Sequence, residues 1–336
     1  MEFDLALLLE AIIKGLILVF VLLTGFAYTT LFERRLLARI QVRIGPNRAG
    51  PQGFLQPVAD GIKLLFKEEF IPAGAYKTIF VLAPILTVLP ALVILAVVPW
   101  GGTIELFGRS IALGVADINV GVLYILSVAS ISVYGIVLAG WASNNKYAMM
   151  GGLRSSAQMI SYELALGLAF VGPILLAGSM SMNDIVVAQK NLWFVVYQPL
   201  GAIIFYIAML AEVNRAPFDM PEAEQELTAG YHTEYSGMKF ALFFMGEYIK
   251  MIAVSAIFAT LFLGGYLGPF VDQFPLLGPI YLILKVVASL AVMIWMRATI
   301  PRFRYDRLMT FGWKILLPAA LLNVFLTAVL VIWLGI

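Results

Sequence analysis

The chain has 336 residues, 62% of them apolar and only 12% charged, with no cysteine and a net charge of +2. Soluble domains run to roughly 45–50% apolar and 25% charged residues, so the excess faces lipid. A soluble enzyme, a nucleic-acid binder and a disordered chain are all disfavoured. Absent cysteine excludes structural disulfides, thiolate zinc sites and cysteine-ligated iron–sulfur clusters within this sequence.

A helix needs about 20 mostly apolar residues to cross a hydrocarbon core. Eight stretches qualify: 11–32, 79–99, 117–140, 157–177, 192–211, 241–263, 279–297 and 313–335. The first is too long for a signal-peptide core, has no small-residue cleavage site and runs into Glu33-Arg34-Arg35, so it is expected to be a retained helix. The segment after it carries the turn signals Gly45-Pro46-Asn47 and Gly50-Pro51. From 54 to 67, apolar residues at 54, 55, 58, 62, 65 and 66 form a stripe, with Asp60, Lys63 and Lys67 off it. That pattern predicts an amphipathic helix lying in the membrane interface, with a surface anchor as its simplest role.

Farther along, the fourth stretch contains Glu163, the fifth ends at Glu212, and the sixth holds Glu247 with Lys250 three residues on. A charge at mid-bilayer costs roughly 2.5–3.5 kcal/mol, so each of these acids should face protein or water. Burial disfavours a carboxylate's charged form, which suits proton exchange near neutral pH. For Glu247, a local pair with Lys250 is an alternative purpose. Glu163 has no basic residue three or four positions away. Between the fifth and sixth stretches, Glu212, Asp219, Glu222, Glu224, Glu226 and Glu234 are offset only by Arg215 and His232. Pro217, Phe218, Pro221, Tyr231 and Tyr235 make this acidic loop an ordered one. Lys285, in the seventh stretch, is ambiguous.

Eighteen of the 22 basic residues fall in or beside loops 1, 3, 5 and 7, which places those loops on the cytoplasmic or matrix side. The expected fold is an all-α integral membrane protein with about eight transmembrane helices, one interfacial amphipathic helix and both termini on the outer face. It forms a single polytopic membrane domain, 1–336, with inner loops 33–78, 141–156, 212–240 and 298–312. Ordinary catalytic motifs are missing. With one histidine a two-His metal site cannot form, no metal site is expected, and His232 lacks a nucleophile pattern around it. No phosphate-binding glycine loop occurs, and no redox centre is found in this chain.

Four blocks resemble a known family. The first is Glu33-Arg34-Arg35, Gln41-Val42-Arg43-Ile44-Gly45-Pro46-Asn47-Arg48 and Leu55-Gln56-Pro57-Val58-Ala59-Asp60. The second is Ala139-Gly140-Trp141-Ala142-Ser143-Asn144, with Leu153-Arg154 and Ser161-Tyr162-Glu163. The third is Glu212-Val213-Asn214-Arg215-Ala216-Pro217-Phe218-Asp219-Met220-Pro221-Glu222-Ala223-Glu224, then Glu234-Tyr235-Ser236-Gly237 and Glu247-Tyr248. The fourth is Arg297 with Pro301-Arg302-Phe303-Arg304-Tyr305-Asp306. Together they resemble the quinone-site membrane subunit of proton-translocating NADH:quinone oxidoreductase, respiratory complex I. In mitochondria that family is NADH dehydrogenase subunit 1.

The resemblance implies an enzyme subunit at the joint between the redox arm and the pumping arm, in the bacterial inner membrane or the mitochondrial inner membrane. It implies ubiquinone or menaquinone as substrate, nothing covalently bound, and iron–sulfur clusters and FMN in partner subunits. The partners are hydrophilic quinone-site subunits, small membrane subunits leading to antiporter-like ones, membrane lipid and quinone, with no nucleic acid. It places Arg34, Phe244 and Arg297 along a quinone passage. Asp60, Glu163, Glu212, Asp219, Glu222, Glu224, Glu234 and Glu247 form an acidic proton relay. Two rival readings are a proton-coupled secondary transporter, which should show repeated halves, and the equivalent subunit of a hydrogenase- or ferredoxin-linked complex.

Overall fold

Lipid offers no hydrogen bonds to a backbone, so the apolar runs close theirs internally as helices. The computed structural model describes residues 5–106, 109–220 and 229–334. Helix α1, Leu5–Ile40, has 36 residues and is about 54 Å long at 1.5 Å per residue. It outruns a ~30 Å core, so Glu33, Arg34 and Arg35 sit on a helix that projects beyond it. Leu18, Leu22, Thr29 and Glu33 form its narrow buried stripe, while Leu16, Ile17 and Phe20 are exposed on the lipid side. Helix α2, Gln56–Phe66, is the predicted amphipathic helix. None of its residues is fully buried.

Helix α3, Lys77–Ile94, leads to a two-stranded hairpin. Strands β1, Thr103–Leu106, and β2, Arg109–Ala112, pair antiparallel with Thr103 opposite Ala112. Nothing in the hydropathy pattern suggests this hairpin. Helix α4, Gly121–Ala142, returns against α3, and Gly135 permits the close approach: a Cβ there would collide with Thr87 Oγ1. Small residues at such crossings let membrane helices touch backbone to backbone.

Helix α5, Lys146–Ala177, begins eleven residues before the fourth apolar stretch. The Asn145 side chain caps it by accepting from the Tyr147 N–H at 2.9 Å, so most of the predicted loop 141–156 is helical. Hydropathy marks where a chain meets lipid, whereas a capped helix continues into water.

After the short helix α6, Met182–Ala188, the fifth stretch departs from expectation. It is not one helix but two, α7 (Phe194–Tyr197) and α8 (Pro199–Glu212). Pro199 lacks an N–H and pushes the residue before it out of helical geometry, and Gln198 sits at φ −132°, ψ 60°.

Helices α9 (Gly237–Phe262), α10 (Leu277–Thr299), α11 (Tyr305–Phe311) and α12 (Leu317–Leu334) complete the chain, with a π-helical turn at Gly312–Leu316. A Cβ at Gly312 would lie 3.2 Å from the Tyr162 ring, whose hydroxyl donates to Leu308 O at 3.0 Å. The core centres on Phe205, whose ring meets those of Phe170, Phe258 and Phe262 at 5.3, 5.9 and 5.6 Å. Among the described residues, seven helices are long and apolar enough to cross a membrane and α8 is a shorter apolar one. This is an all-α, multi-pass membrane protein.

Candidate functional site

The site is built where α8 ends. Glu212 is its last residue, and Asn214 then turns the chain through a left-handed conformation (φ 55°). Gln158 on α5 holds this turn by donating to Ala211 O at 2.8 Å and to Phe218 O at 2.6 Å. Ser155 donates to Asn214 Oδ1 at 3.2 Å. Pinned on that side, the turn sends Arg215 into the bundle, where it is only 3% exposed.

Arg215 gathers partners from two helices. Its Nη1 lies 3.1 Å from Glu33 Oε1 on α1, and its Nε lies 2.5 Å from Glu247 Oε1 on α9. Its guanidinium sits 4.4 Å from the centre of the Tyr248 ring. Burial works against the arginine's charge, but Glu247 and then Glu33 outweigh it, so the guanidinium is held protonated more firmly than in water. Glu33 also pairs with Arg297 at the end of α10. Beside them, Arg302 Nη2 lies 3.1 Å from Asp219 Oδ2. The Phe303 N–H donates to Pro217 O at 3.1 Å, which ties the last inner loop to the same turn.

Two cavities flank this cluster. The smaller, about 20 Å³, is lined by Glu212, Asp219, Glu247, Lys250 and His232. That is room for about one water among polar partners. Neither Glu212 carboxylate oxygen has a hydrogen-bond partner among the described residues. The larger cavity, about 380 Å³, lies between α1, α2 and α9 and is mostly apolar. Phe26, Phe244 and Tyr248 supply aromatic wall, and Arg34 and Asp60 supply a charged edge, 2.6 Å apart. Tyr248 belongs to its wall while its ring packs on Arg215, and the His232 ring reaches Phe244 at 6.1 Å.

The structure thus sorts the expected residues. Arg34 and Phe244 share the larger cavity, whereas Arg297 is not among its lining residues and pairs with Glu33 instead. Glu212, Asp219 and Glu247 share the smaller cavity. Asp60 belongs with Arg34. Half-buried Glu163 on α5 accepts from Ser130 of α4. Glu234 accepts from Asn145 Nδ2 at 2.6 Å. Glu222 and Glu224 lie outside the described residues. The alternative of a local Glu247–Lys250 pair is corrected, since the ion pair of Glu247 runs to Arg215 and the Lys250 ammonium donates to Ser132 Oγ at 2.5 Å.

Glu33 and Tyr248 join the site without a role legible in the sequence. The signal for Glu33 is an acid at the end of a long apolar run. For Tyr248 the signal is its place in the Glu247-Tyr248 pair of the third resemblance block, which gives it no role. No group of three or more potential metal ligands occurs among the described residues.

A sequence model of a family described as NADH dehydrogenase matches residues 13–328. Curated relatives named as the H-type chain of NADH-quinone oxidoreductase match over nearly their whole length. One from Geobacter metallireducens is 54% identical over 314 residues, covering 94% of each chain. One from Thermomicrobium roseum is 53% identical over 336 residues, covering 97% of each. One from Protochlamydia amoebophila is 54% identical over 305 residues, covering 91% of this chain and 92% of the other.

Proposed function

We propose, from the premise that this chain belongs to the NADH dehydrogenase family of H-type NADH-quinone oxidoreductase chains, that it forms the quinone passage and the adjoining acidic relay of a respiratory complex. It is a subunit of that enzyme and works with the complex's other subunits, whose flavin and iron–sulfur clusters supply the electrons. The bacterial relatives point to the cytoplasmic membrane.

The Tyr248–Arg215–Glu247 link carries the reading. Tyr248 forms wall of the larger, apolar cavity, its ring touches Arg215, and Arg215 pairs with Glu247 on the wall of the smaller, acidic one. The larger cavity suits a flat, mostly apolar headgroup on an isoprenoid tail, since pockets for such ligands are apolar with a few placed polar groups. Phe26, Phe244 and Tyr248 offer ring faces, and the Arg34 guanidinium can donate to a quinone oxygen. Arg297 acts from behind, holding Glu33 and so the arginine pairing.

Reduction of a quinone to its quinol takes two electrons, supplied by the partner subunits, and two protons. Until the protons arrive the reduced headgroup is anionic, and that charge is felt at Arg34 and Asp60. Arg215 is paired on both sides, and any shift in its balance reaches Glu247, Glu212 and Asp219 through a low-dielectric interior, where charges are weakly screened. Glu163 and Glu234 extend the row through α5 and its cap. This couples quinone chemistry to proton movement without a redox group in the chain.

The test uses the intact complex in vesicles. Arg34→Ala and Phe244→Ala should each raise the quinone KM several-fold while NADH:ferricyanide activity, which reads the hydrophilic arm, stays unchanged. Glu212→Gln and Glu163→Gln should leave assembly intact and abolish proton translocation. Parental KM values in the first pair and parental pumping in the second would sink the proposal.

A further inference from the structure

Lys250 is a cation of the buried cluster that Arg215, Arg297 and their carboxylates do not account for. It is 7% exposed, in the middle of the apolar helix α9. An ammonium there is costly unless it is hydrogen-bonded and matched by opposite charge. Its Nζ donates to Ser132 Oγ on α4 at 2.5 Å, and Ser132 is itself fully buried. The hydroxyl supplies a dipole but no charge. The other polar groups around the shared cavity are Glu212 from α8, Glu247 from α9 itself, Asn214, Asp219, Tyr231 and His232 from the connecting segments, and Thr87 from α3. The charge of Glu163 on α5 acts on both Lys250 and Glu212.

Two of these acids already have arginines. Glu247 is 2.5 Å from Arg215 and Asp219 is 3.1 Å from Arg302. Glu212 is 3% exposed and neither of its oxygens has a hydrogen-bond partner among the described residues. Resting on the relay reading above, we propose that Lys250 is the counter-cation of Glu212, a positioning residue held by Ser132 that lets the relay carry charge at that acid inside the membrane.

Both groups border a cavity with room for about one water, so the ammonium can act on the carboxylate across a short gap without a rigid contact. An ion pair of fixed geometry would lock the acid in one charge state. A lysine seated on a hydroxyl is a mobile point charge with three donors, unlike the forked arginines nearby. It can turn toward Glu212 when that acid is charged and back to Ser132 when it is protonated. The relay is then an alternation of acid and base rather than a row of acids, with Ser132 marking the lysine's resting position.

The experiment compares Lys250→Met, Lys250→Arg, Ser132→Ala and Glu212→Gln in the whole complex in vesicles. It reads protons moved per electron and the pH profile of inhibitor-sensitive quinone reduction. Lys250→Met should lower the proton ratio at least twofold and displace the pH profile. Lys250→Arg should restore most of both, and Ser132→Ala should give a smaller displacement in the same direction. Parental pumping and profile in Lys250→Met, with pumping lost in Glu212→Gln, overturn the inference and leave the relay reading standing. Parental pumping in Glu212→Gln overturns both. Where Lys250→Met does not assemble, Ser132→Ala decides: a parental pH profile in that variant overturns the proposal.

Discussion

Arg215 holds two carboxylates that no local pattern assigns to it. Glu33 is 182 positions away in the chain, and Glu247 arrives from the next long helix. Removing one partner of a buried pair strands a charge and costs about 3–5 kcal/mol, so Arg215→Ala should remove the chain from the assembled complex on native gels. Full assembly of that variant would mean the two acids are satisfied in another way. Arg215→Lys keeps a charge but replaces a fork by a point, so it should assemble and lose most quinone reductase activity. Adding Glu247→Gln should recover part of that loss, because the lysine then has one acid to serve, and a double-mutant cycle measures the coupling. The acids themselves were legible in the sequence. A carboxylate in an apolar run needs a purpose, and buried Glu212 and half-buried Glu247 do border one cavity. Their cations were not legible. The three-residue spacing of Glu247 and Lys250 is a real neighbour relation on a helix, but tertiary packing brought Arg215 to Glu247 and Ser132 to Lys250.

Where elements meet, the first inner loop is latched to the start of α9. Glu69 accepts from Lys239 Nζ at 2.6 Å and from the Met238 N–H at 2.9 Å. The hydrogen bond from Lys239 holds the Glu69 carboxyl below its ordinary value of 4.5; burial, the next largest effect, opposes it, and the charge of Lys239 and the backbone N–H groups of Met238 and Lys239 add to the lowering. A depressed carboxyl stabilises the fold fully above its unfolded value and loses that contribution as pH falls through the folded one. The latch should therefore be complete well above pH 4.5 and weaken progressively as pH falls below it. Both side chains are partly exposed, so the effect is about 0.5 kcal/mol. Corrected for the intrinsic slowing of amide exchange in acid, protection of residues 67–76 should fall over that range, and the fall should be absent in Glu69→Gln, whose protection is already reduced at neutral pH. A flat profile in the parent would remove the latch. At this scale the sequence was most legible for long apolar helices and for the stripe of α2. It was least legible where one residue overrides a pattern, as Pro199 does in splitting the fifth stretch. It was also silent where polar helix continues past the lipid, as at the start of α5, because hydropathy reports the solvent and not the backbone.

For the molecule as a whole, the split fifth stretch raises the question of how many times the chain crosses. Helix α8 has 14 residues, about 21 Å, which is short for a full span. An exposed ion pair answers it. Lys190 Nζ lies 3.1 Å from Asp272 Oδ1, so the residues just before the fifth stretch and just after α9 share one end of the bundle. The chain between them contains α7, α8 and α9. Helix α9 is long enough to cross, so α7 and α8 together are expected to cross as well, which predicts a total of eight. Glu33 at the far end of α1 meets Arg215 and Arg297 at the opposite end of the bundle, and Asp219 meets Arg302 there too. An even number of crossings predicts that the start of α1 and the end of α12 lie at the Lys190 end. The clustering of 17 of the 22 basic residues in or beside loops at the other end, with Lys250 left out because it lies mid-helix in α9, predicts that the Lys190 end faces outward. The sequence has no cysteine, so single cysteines report position without background. Asp272→Cys and Arg304→Cys suit this, since each parent side chain is 78% exposed and each forms only a surface pair worth about 0–1 kcal/mol. A membrane-impermeant maleimide should label Asp272→Cys in right-side-out vesicles and Arg304→Cys in inside-out ones. The reverse pattern would invert the topology, and labelling of both from one side would contradict the crossing of α10 that separates them.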